Sequence, residues 1–254
     1  MEKLIVISMS GGLDSSTLCG RALAEGYTVL PVNFQYGQKN FIESVAQENV
    51  INHFKMVYGE DRILNSVNID LTTAIKDSIS SWQKSRDNGK LEAKTELGYY
   101  MPSRNLVFMA IAAVVGEIVA LDKDIKSIAL GLGIHKHSDV YARDYWDISP
   151  EFAYRLQNLL ELNDVVEVEL YAPYANKFKK DIVLDSIVYN VPYDLTWTCY
   201  NPLHVGGNCT AVSYTPCGEC EACLERAKQA EGTSLEGKIN SYCLTITPDT
   251  GFNC

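Results

Sequence analysis

The sequence predicts an α/β protein in which a parallel sheet is covered by helices on both faces. Short, almost continuously apolar runs recur along the chain, and a stretch with helical spacing follows each of them. Strands that are buried on both faces have this pattern, whereas strands with one solvent-exposed face alternate between apolar and polar residues. The 254 residues are 46% apolar, which is enough for a sizeable core. Ligands in such sheets bind at the carboxyl ends of the strands.

The elements follow in a regular order. Strands are predicted at residues 4–9, 27–34, 63–69, 125–132 and 166–173, and helices at 15–25, 41–59, 103–122, 150–163 and 179–190. Residues 74–98 are polar and are predicted to form a mobile loop; long irregular loops of this kind often serve as lids. The chain then becomes rich in cysteine, glycine and turn residues. We therefore predict an α/β domain over residues 1–195 and a C-terminal segment over 196–254.

Charge and composition disfavour several classes of protein. A net charge of −10 disfavours nucleic acid and anionic membranes as partners. The most apolar segment, 105–121, is short and carries Glu117, so it predicts a buried helix and not a membrane span. The chain enters its first strand without a signal-peptide pattern, and a cytoplasmic location is expected. In that reducing compartment, close cysteines indicate a metal site more than disulfides.

Residues 10–17, SGGLDSST, connect the first strand to the first helix. Gly11 and Gly12 let the chain turn tightly and approach a ligand closely. The exposed N–H groups of such a turn favour an anion. Hydroxyl donors are added by Ser10, Ser15, Ser16 and Thr17. Asp14 would repel a phosphate unless a cation such as Mg²⁺ lay between them. The alternative is an ordinary turn in which Asp14 or Ser15 is the N-cap of the helix.

Three of the eight cysteines have the spacing C-x-x-C-x-x-C, at Cys217, Cys220 and Cys223. Sulfur atoms spaced in this way can reach one metal ion through a turn, and a fourth ligand would complete a tetrahedral zinc site. An iron–sulfur cluster is the chemical rival, because tetrahedral sulfur suits both.

The stretch SGGLDS resembles the pyrophosphate loop of the ATP pyrophosphatases, which split ATP into AMP and pyrophosphate. Further segments resemble, in the same order, the 7-cyano-7-deazaguanine synthase (QueC) family: NFQYGQ, YYMPSRN, YWDISPEF, ANKFKKDIV, VPYDLTWTCY and CGECEACLER. The resemblance covers residues 4–226. It implies an adenine-nucleotide α-hydrolase-like fold, a doubly wound parallel sheet, with a cysteine-rich zinc subdomain at the C-terminus.

That family converts 7-carboxy-7-deazaguanine to the nitrile with ammonia and two ATP. The resemblance therefore implies ATP with Mg²⁺, a free deazaguanine base, and ammonia or another amine as partners. It assigns ATP binding to Ser10, Gly11, Gly12, Leu13, Asp14, Ser15, Ser16, Thr17, Asn33 and Gly131. It assigns the base to Tyr36, Gln38, Arg104, Asn105 and Asp147, and catalysis to Asp14, Arg104 and Lys179.

The family pattern T-W-x-C-Y assigns Cys199 as the fourth zinc ligand. The gap after this ligand is short in the family, but here residues 200–216 intervene and contain Cys209. Cys209 is interpreted as a free thiol or an alternative fourth ligand. Four thiolates leave no open coordination position, so the zinc is expected to be structural.

The segment after the fourth strand also departs from the family. Family members usually carry a cysteine and an arginine where this chain has Ile148 and Ser149. The preceding segment is longer, and its His135 and His137 are interpreted as solvated loop histidines. This departure leaves the acceptor open. QueC-like enzymes of antiviral (CBASS) operons are thought to join a deazaguanine to a protein amine, and phage relatives stop at the amide.

Two other classes compete with this hypothesis. A tRNA thiolation enzyme uses the same loop but needs a basic surface and a reactive cysteine, which the acidic charge and the metal-type cysteines disfavour. A zinc module that binds a nucleotide without catalysis is the third hypothesis. The sequence leaves the oligomeric state open, with a homodimer among the options.

Overall fold

The computed structural model describes residues 3–36, 42–73, 103–136, 146–208, 211–238 and 244–246. Four predictions lie outside these residues: the mobile loop at 74–98, the substrate contact of Gln38, the solvated His137 and the thiol of Cys209.

Five parallel strands form the central sheet. In chain order they are β1 (Lys3–Ser8), β2 (Tyr27–Gln35), β3 (Val67–Asp70), β4 (Ser127–Gly131) and β5 (Glu167–Tyr171). Their order across the sheet is β3-β2-β1-β4-β5, so β1 is central and the progression of strands reverses beside it. At such a reversal the loops after two neighbouring strands diverge and leave a crevice for a ligand. The arrangement confirms the predicted fold class.

Helices cover both faces of this sheet. They are α1 (Leu13–Ala24), α2 (Ile42–Tyr58), α3 (Arg104–Asp122), α4 (Pro150–Leu160) and α5 (Lys179–Val188), whereas α6 (Glu221–Ala230) belongs to the C-terminal segment and packs on α5. Successive side chains of a strand point to opposite faces. Leu4 and Val6 of β1 therefore join the core under α3 and α4, while Ile5 and Ile7 join the core under α1, α2 and α5. Burial of each such side chain contributes about 1.5–3 kcal/mol, which fixes the register of the central strand.

Helix α3 is buried on one face only, although its composition predicts a buried helix. Gly116 lets it lie close to the sheet, since an added Cβ would be 2.6 Å from Ile128 and 2.8 Å from Val6. Its outer face, however, exposes Val114, Ile118 and Leu121. The expectation of a buried helix is wrong for this outer face. By length and composition α3 is the one helix of the described residues that could cross a membrane, and its packing on β1 and β4 accounts for its apolar inner face.

The C-terminal segment forms a separate antiparallel sheet. Residues 193–195 make a short 3-10 turn, and the chain then reaches β6 (Leu203–Asn208), β7 (Ala211–Thr215) and β8 (Leu244–Ile246). These strands are ordered β6-β7-β8. The hairpin of β6 and β7 lies within residues 200–216, the stretch that separates the predicted metal ligands in the sequence.

Candidate functional site

A cavity of about 410 Å³ opens at the carboxyl edge of the sheet. Its walls come from the loop after β1, the ends of β2 and β4, the first turns of α3 and α5, and the segment after Tyr193. This is the position that the strand order predicts for a ligand. The cavity therefore brings together segments from both ends of the chain.

The loop after β1 is tied together by serine hydroxyls. The Ser10 hydroxyl accepts a hydrogen bond from the Gly12 N–H at 3.2 Å, and the Ser15 hydroxyl accepts one from the Ser10 N–H at 3.2 Å. Helix α1 begins at Leu13, and its N-cap is Gly12 without a side-chain cap. The alternative that Asp14 or Ser15 is the N-cap is therefore wrong. No side-chain cap occupies this end of α1, and the N-terminus of a helix favours an anion.

Gly11 is the position in this loop that no other residue can occupy without strain. Its φ is +80°, in the left-handed region. An added Cβ would lie 2.4 Å from the Gln47 nitrogen and 2.6 Å from the Glu43 oxygen, both in the backbone of α2. The loop is thus pressed directly against helix α2.

Asp14 and Lys179 form an ion pair in the wall of the cavity. Lys179 begins α5, and its Nζ donates to both carboxylate oxygens of Asp14 at 2.5 Å. The side chains are 12% and 26% exposed. Lys179 is therefore not a solvated lysine at a helix start, because Asp14 holds its ammonium group in the wall beside the loop. A cation and a helix N-terminus at one place favour a phosphate.

His135 also reaches this pair, which the sequence interpretation missed. Its side chain is 11% exposed, and Nε2 lies 3.7 Å from Oδ2 of Asp14. The interpretation of a solvated loop histidine is wrong for His135. Its Nδ1 lies 2.9 Å from the Lys136 carbonyl oxygen. A carbonyl oxygen only accepts, so Nδ1 carries the proton and Nε2 faces Asp14.

The other half of the cavity is aromatic. Phe34 and Phe108 stack with ring centroids 4.0 Å apart and planes 4° apart, and Tyr36 packs on Phe108 at 5.6 Å. Leu132, Ile134 and Ile148 complete this wall. A flat heterocycle gains from such a surface by stacking. The two phenylalanines were not singled out from the sequence, where they are indistinguishable from core residues.

Arg104 stands beside this aromatic wall and is a permanent cation. Burial lowers its pKa, but a hydrogen bond and electrostatic attraction to the Tyr36 oxygen, together with the carboxylates of Asp147 and Glu43, outweigh this effect. The net pKa is raised. A guanidinium group held in this way can pair with a carboxylate through two parallel hydrogen bonds.

Asp147 supports this corner from behind. It is 4% exposed, and its carboxylate accepts a hydrogen bond from the Asn105 N–H at 3.1 Å. Its backbone carbonyl accepts from the Asn105 side chain at 2.9 Å. Asp147 therefore caps helix α3, an interaction that stabilises a helix start by about 1 kcal/mol. Ser149 likewise caps α4 by accepting from the Phe152 N–H at 3.0 Å.

The predicted residues divide into two groups by their placement. Ten line the cavity: Ser10, Gly12, Leu13, Asp14, Ser15, Asn33, Tyr36, Arg104, Asn105 and Lys179. Five lie behind its wall: Gly11, Ser16, Thr17, Gly131 and Asp147. Gly131, for example, faces the core, where an added Cβ would be 2.8 Å from Ile7.

The four predicted metal ligands meet at a second site. The sulfur atoms of Cys199, Cys217, Cys220 and Cys223 all lie within 4.8 Å of one another. Sulfur atoms at about 2.3 Å from a zinc ion at the centre of a tetrahedron are about 3.8 Å apart. The Cys199–Cys217 and Cys217–Cys223 separations are 3.6 and 4.0 Å. The donor set and its size therefore fit a metal such as zinc.

Backbone N–H groups around the cluster favour negatively charged sulfur. The Cys217 N–H donates to Cys199, and the Cys220 N–H donates to Cys217. Burial raises the pKa of Cys217, but the backbone N–H groups of Glu219 and Cys220 and hydrogen bonds with the Cys199 and Cys220 sulfurs outweigh it and lower the pKa to about 7. Burial raises the pKa of Cys199 to about 11 and also raises that of Cys223, so Cys217 is the most ready of these three sulfurs to ionise. Thiolates are the form in which cysteine binds a metal.

Comparisons with known proteins agree with this geometry. The family model described as "Queuosine biosynthesis protein QueC" matches residues 4–233. A 7-cyano-7-deazaguanine synthase of Thermoplasma volcanium is 32% identical over 234 residues, which are 90% of this chain and 86% of the relative. A 7-cyano-7-deazaguanine synthase 2 of Colwellia psychrerythraea is 30% identical over 94% of this chain and 98% of the relative. Among solved structures, a 4-thiouridine synthetase–RNA complex with bound ATP has 12% identity and a TM-score of 0.45, and the match covers 96% of this chain and 55% of that chain.

Proposed function

The chain belongs to the QueC family of queuosine biosynthesis proteins, and from this premise we propose that it activates the carboxylate of 7-carboxy-7-deazaguanine with ATP and converts it with ammonia to 7-cyano-7-deazaguanine. Relatives with that synthase name match most of the chain, which makes it an enzyme of the QueC type. One observation carries the finer proposal: an anion-binding loop and an aromatic wall with a fixed arginine share one cavity.

The two halves of the cavity suit the two substrates. The loop and Lys179 provide N–H donors and a cation for the phosphates of ATP. The Phe34 and Phe108 rings offer a stacking surface to a flat purine-like base, and Arg104 offers a cation to its carboxylate. The carboxylate would then face the α-phosphate at the junction of the two halves.

The first step activates the acid. A carboxylate resists attack by an amine, because the leaving group would be oxide. In the proposed step a carboxylate oxygen forms a bond to the α-phosphorus, and the bond from that phosphorus to the bridging oxygen breaks. Pyrophosphate leaves with the electron pair, and the acid becomes an acyl adenylate. Lys179 can offset the negative charge on the phosphate oxygens during this transfer.

Ammonia completes the reaction in two stages. Its nitrogen attacks the carbonyl carbon, AMP leaves, and the loss of one proton gives the amide. A second ATP adenylylates the amide oxygen and again releases pyrophosphate. The carbon–oxygen bond then breaks, AMP leaves, and the nitrogen gives up two protons to form the nitrile. The reaction therefore uses two ATP for each nitrile.

Asp14 has two roles in this proposal. It holds Lys179 in place through their ion pair. It is also the carboxylate that would hold Mg²⁺, an ion that proteins bind through one or two carboxylates together with substrate phosphates. When bound, the ion would neutralise phosphate charge. Glu43, which also lines the cavity, adds a second carboxylate at the same edge.

A second candidate concerns the acceptor alone. Ile148 lines the cavity. At this sequence position family members usually carry a cysteine, so an apolar side chain replaces a thiol. This observation favours a variant that stops at the amide or joins the activated acid to a protein amine. It does not favour tRNA thiolation, because no cysteine is among the described residues that line the cavity.

The test is a product assay with the purified protein. ATP, Mg²⁺, 7-carboxy-7-deazaguanine and ammonia are combined, and AMP and the deazaguanine products are measured by mass spectrometry. We expect AMP only when the acid is present, with two AMP per nitrile. Acid-dependent AMP with little nitrile would identify a variant acceptor. If AMP does not depend on the acid, the substrate assignment is wrong.

A further inference from the structure

Arg226 is a buried cation in the wall that separates the cavity from the cysteine cluster. It is 2% exposed, which makes it the least exposed lysine or arginine among the described residues. It lies on the inner face of α6, one turn after Cys223. Taking a guanidinium group out of water costs several kcal/mol unless hydrogen bonds compensate for it. The partners of Arg226 therefore indicate what this residue holds.

Four contacts of Arg226 lie within one short segment, residues 193–198. Nη2 donates to the Tyr193 carbonyl oxygen at 2.8 Å, and the guanidinium carbon lies 3.9 Å from the centre of the Tyr193 ring. Nη1 donates to the Thr198 hydroxyl at 3.3 Å and to the Thr196 carbonyl oxygen at 3.5 Å. A planar fork of donors can hold several acceptors of one segment at once, which an ammonium group does less well.

The same segment contacts the loop after β1. The Trp197 N–H donates to the Gly11 carbonyl oxygen at 2.9 Å. The Trp197 carbonyl oxygen would lie 3.5 Å from a Cβ added at Gly12. Since Gly11 is pressed against α2 on its other side, the loop is enclosed between α2 and residues 196–198. A shift of this segment would move the loop.

We propose that Arg226 is a positioning residue for the loop, acting through Trp197, so that the loop N–H groups are aimed at the phosphates before ATP arrives. The inference rests on the proposed function, because it assumes that the loop binds ATP. Arg226 stabilises the segment from α6, and the cysteine cluster anchors the same segment at Cys199. Donors that are fixed in advance need not be ordered when the ligand binds.

The test compares Arg226→Gln with the parental protein by calorimetry and hydrogen exchange. We expect the Kd for ATP with Mg²⁺ to rise about 10- to 100-fold, since small displacements of binding groups have effects of this size. Amide exchange of residues 10–16 should be faster in the ligand-free variant. The KM for ATP should rise, while the KM for the acid stays unchanged. Thr198→Val is the milder variant, because it removes one acceptor and keeps the shape, and it should shift both readouts in the same direction.

Lys180→Met is the matched control. Lys180 donates to the Gln229 and Glu231 carbonyl oxygens at the end of α6, at 2.8 and 2.5 Å, outside the cavity. This variant should lose stability while its ATP affinity and loop exchange stay parental. Equal ATP affinity in Arg226→Gln, Thr198→Val and the parental protein would overturn the proposal. A weaker affinity with unchanged loop exchange would also overturn it, because Arg226 would then contact ATP directly. A parental protein that does not bind ATP would instead refute the proposed function, and this inference with it.

Discussion

Replacing Gly11 with alanine should damage both stability and ATP binding, and the structure gives the size of each effect. The left-handed backbone at φ +80° costs alanine about 1–2 kcal/mol. The new methyl group would also lie 2.4 Å from a backbone nitrogen of α2, and overpacking of this kind costs about 1–3 kcal/mol. We therefore expect Gly11→Ala to lower the free energy of unfolding by roughly 2–5 kcal/mol.

The contact at Gly11 cannot be relieved by a side-chain rotation. The three atoms closest to the added methyl group all belong to the backbone of α2, in Glu43, Ala46 and Gln47. Ordinary contact would require the loop and the helix to separate by about 1 Å, which is enough to lower ligand affinity by about 100-fold. The Kd for ATP should rise accordingly.

Gly26→Ala separates the two causes. Gly26 has a φ of +93° but has no other atom within 4 Å of an added Cβ. This variant should lose only the backbone contribution of about 1–2 kcal/mol and should bind ATP like the parental protein. Urea unfolding and calorimetry measure the two quantities. If the Gly11→Ala protein is no less stable than the Gly26→Ala protein and binds ATP with parental affinity, the contact between Gly11 and α2 does not have the predicted effect.

Three further predictions test other parts of the site. Asp14→Asn should keep the fold but lower acid-dependent AMP formation by about 100-fold or more, because Lys179 loses its partner and Mg²⁺ loses an anionic ligand. A parental rate of AMP formation at saturating Mg²⁺ would contradict this prediction. Arg104→Lys should raise the KM for the acid about 10- to 100-fold and leave the KM for ATP unchanged, because a lysine cannot make a bidentate pair with a carboxylate. Steady-state kinetics in which the KM for ATP rises and the KM for the acid does not would contradict this prediction. Cys220→Ser should lose the bound zinc and lower the melting temperature by roughly 10 °C, because metal binding is coupled to folding. Cys19→Ala, on the buried face of α1, should keep the metal. Elemental analysis that finds iron, or no metal, in the parental protein would contradict the zinc assignment.

The sheet and the loop could be predicted from the sequence because their signals are local. A strand buried on both faces is continuously apolar, as β1 is, and the glycine pair after it has few other uses. The cysteines could be predicted because three of them share a spacing, and the family pattern supplied Cys199. In each case neighbouring residues carry the information.

Other parts of the site depend on contacts between distant residues, which no local pattern encodes. The polar context of His135 suggested a solvated loop, but the fold brings it to Asp14. Asp147 was assigned to the substrate, although its carboxylate accepts from a backbone N–H of α3. Phe34 and Phe108 have the apolar character of core residues, and only the structure shows that this stacked pair lines the cavity at the edge of the sheet. The outer face of α3 was expected to be buried because composition does not report which side of a helix meets the sheet.

The contact between Trp197 and Gly11 has a consequence for the order of events during synthesis. The segment that encloses the loop after β1 leaves the ribosome about 190 residues after the loop itself. At about 5–20 residues per second, roughly 10–40 s separate the two events. Until residues 127–131 have been synthesised, β1 also lacks β4, its partner on one side. A nascent chain would therefore carry the proposed nucleotide site in an incomplete form, and ATP could stabilise that site only once residues 196–198 have been synthesised.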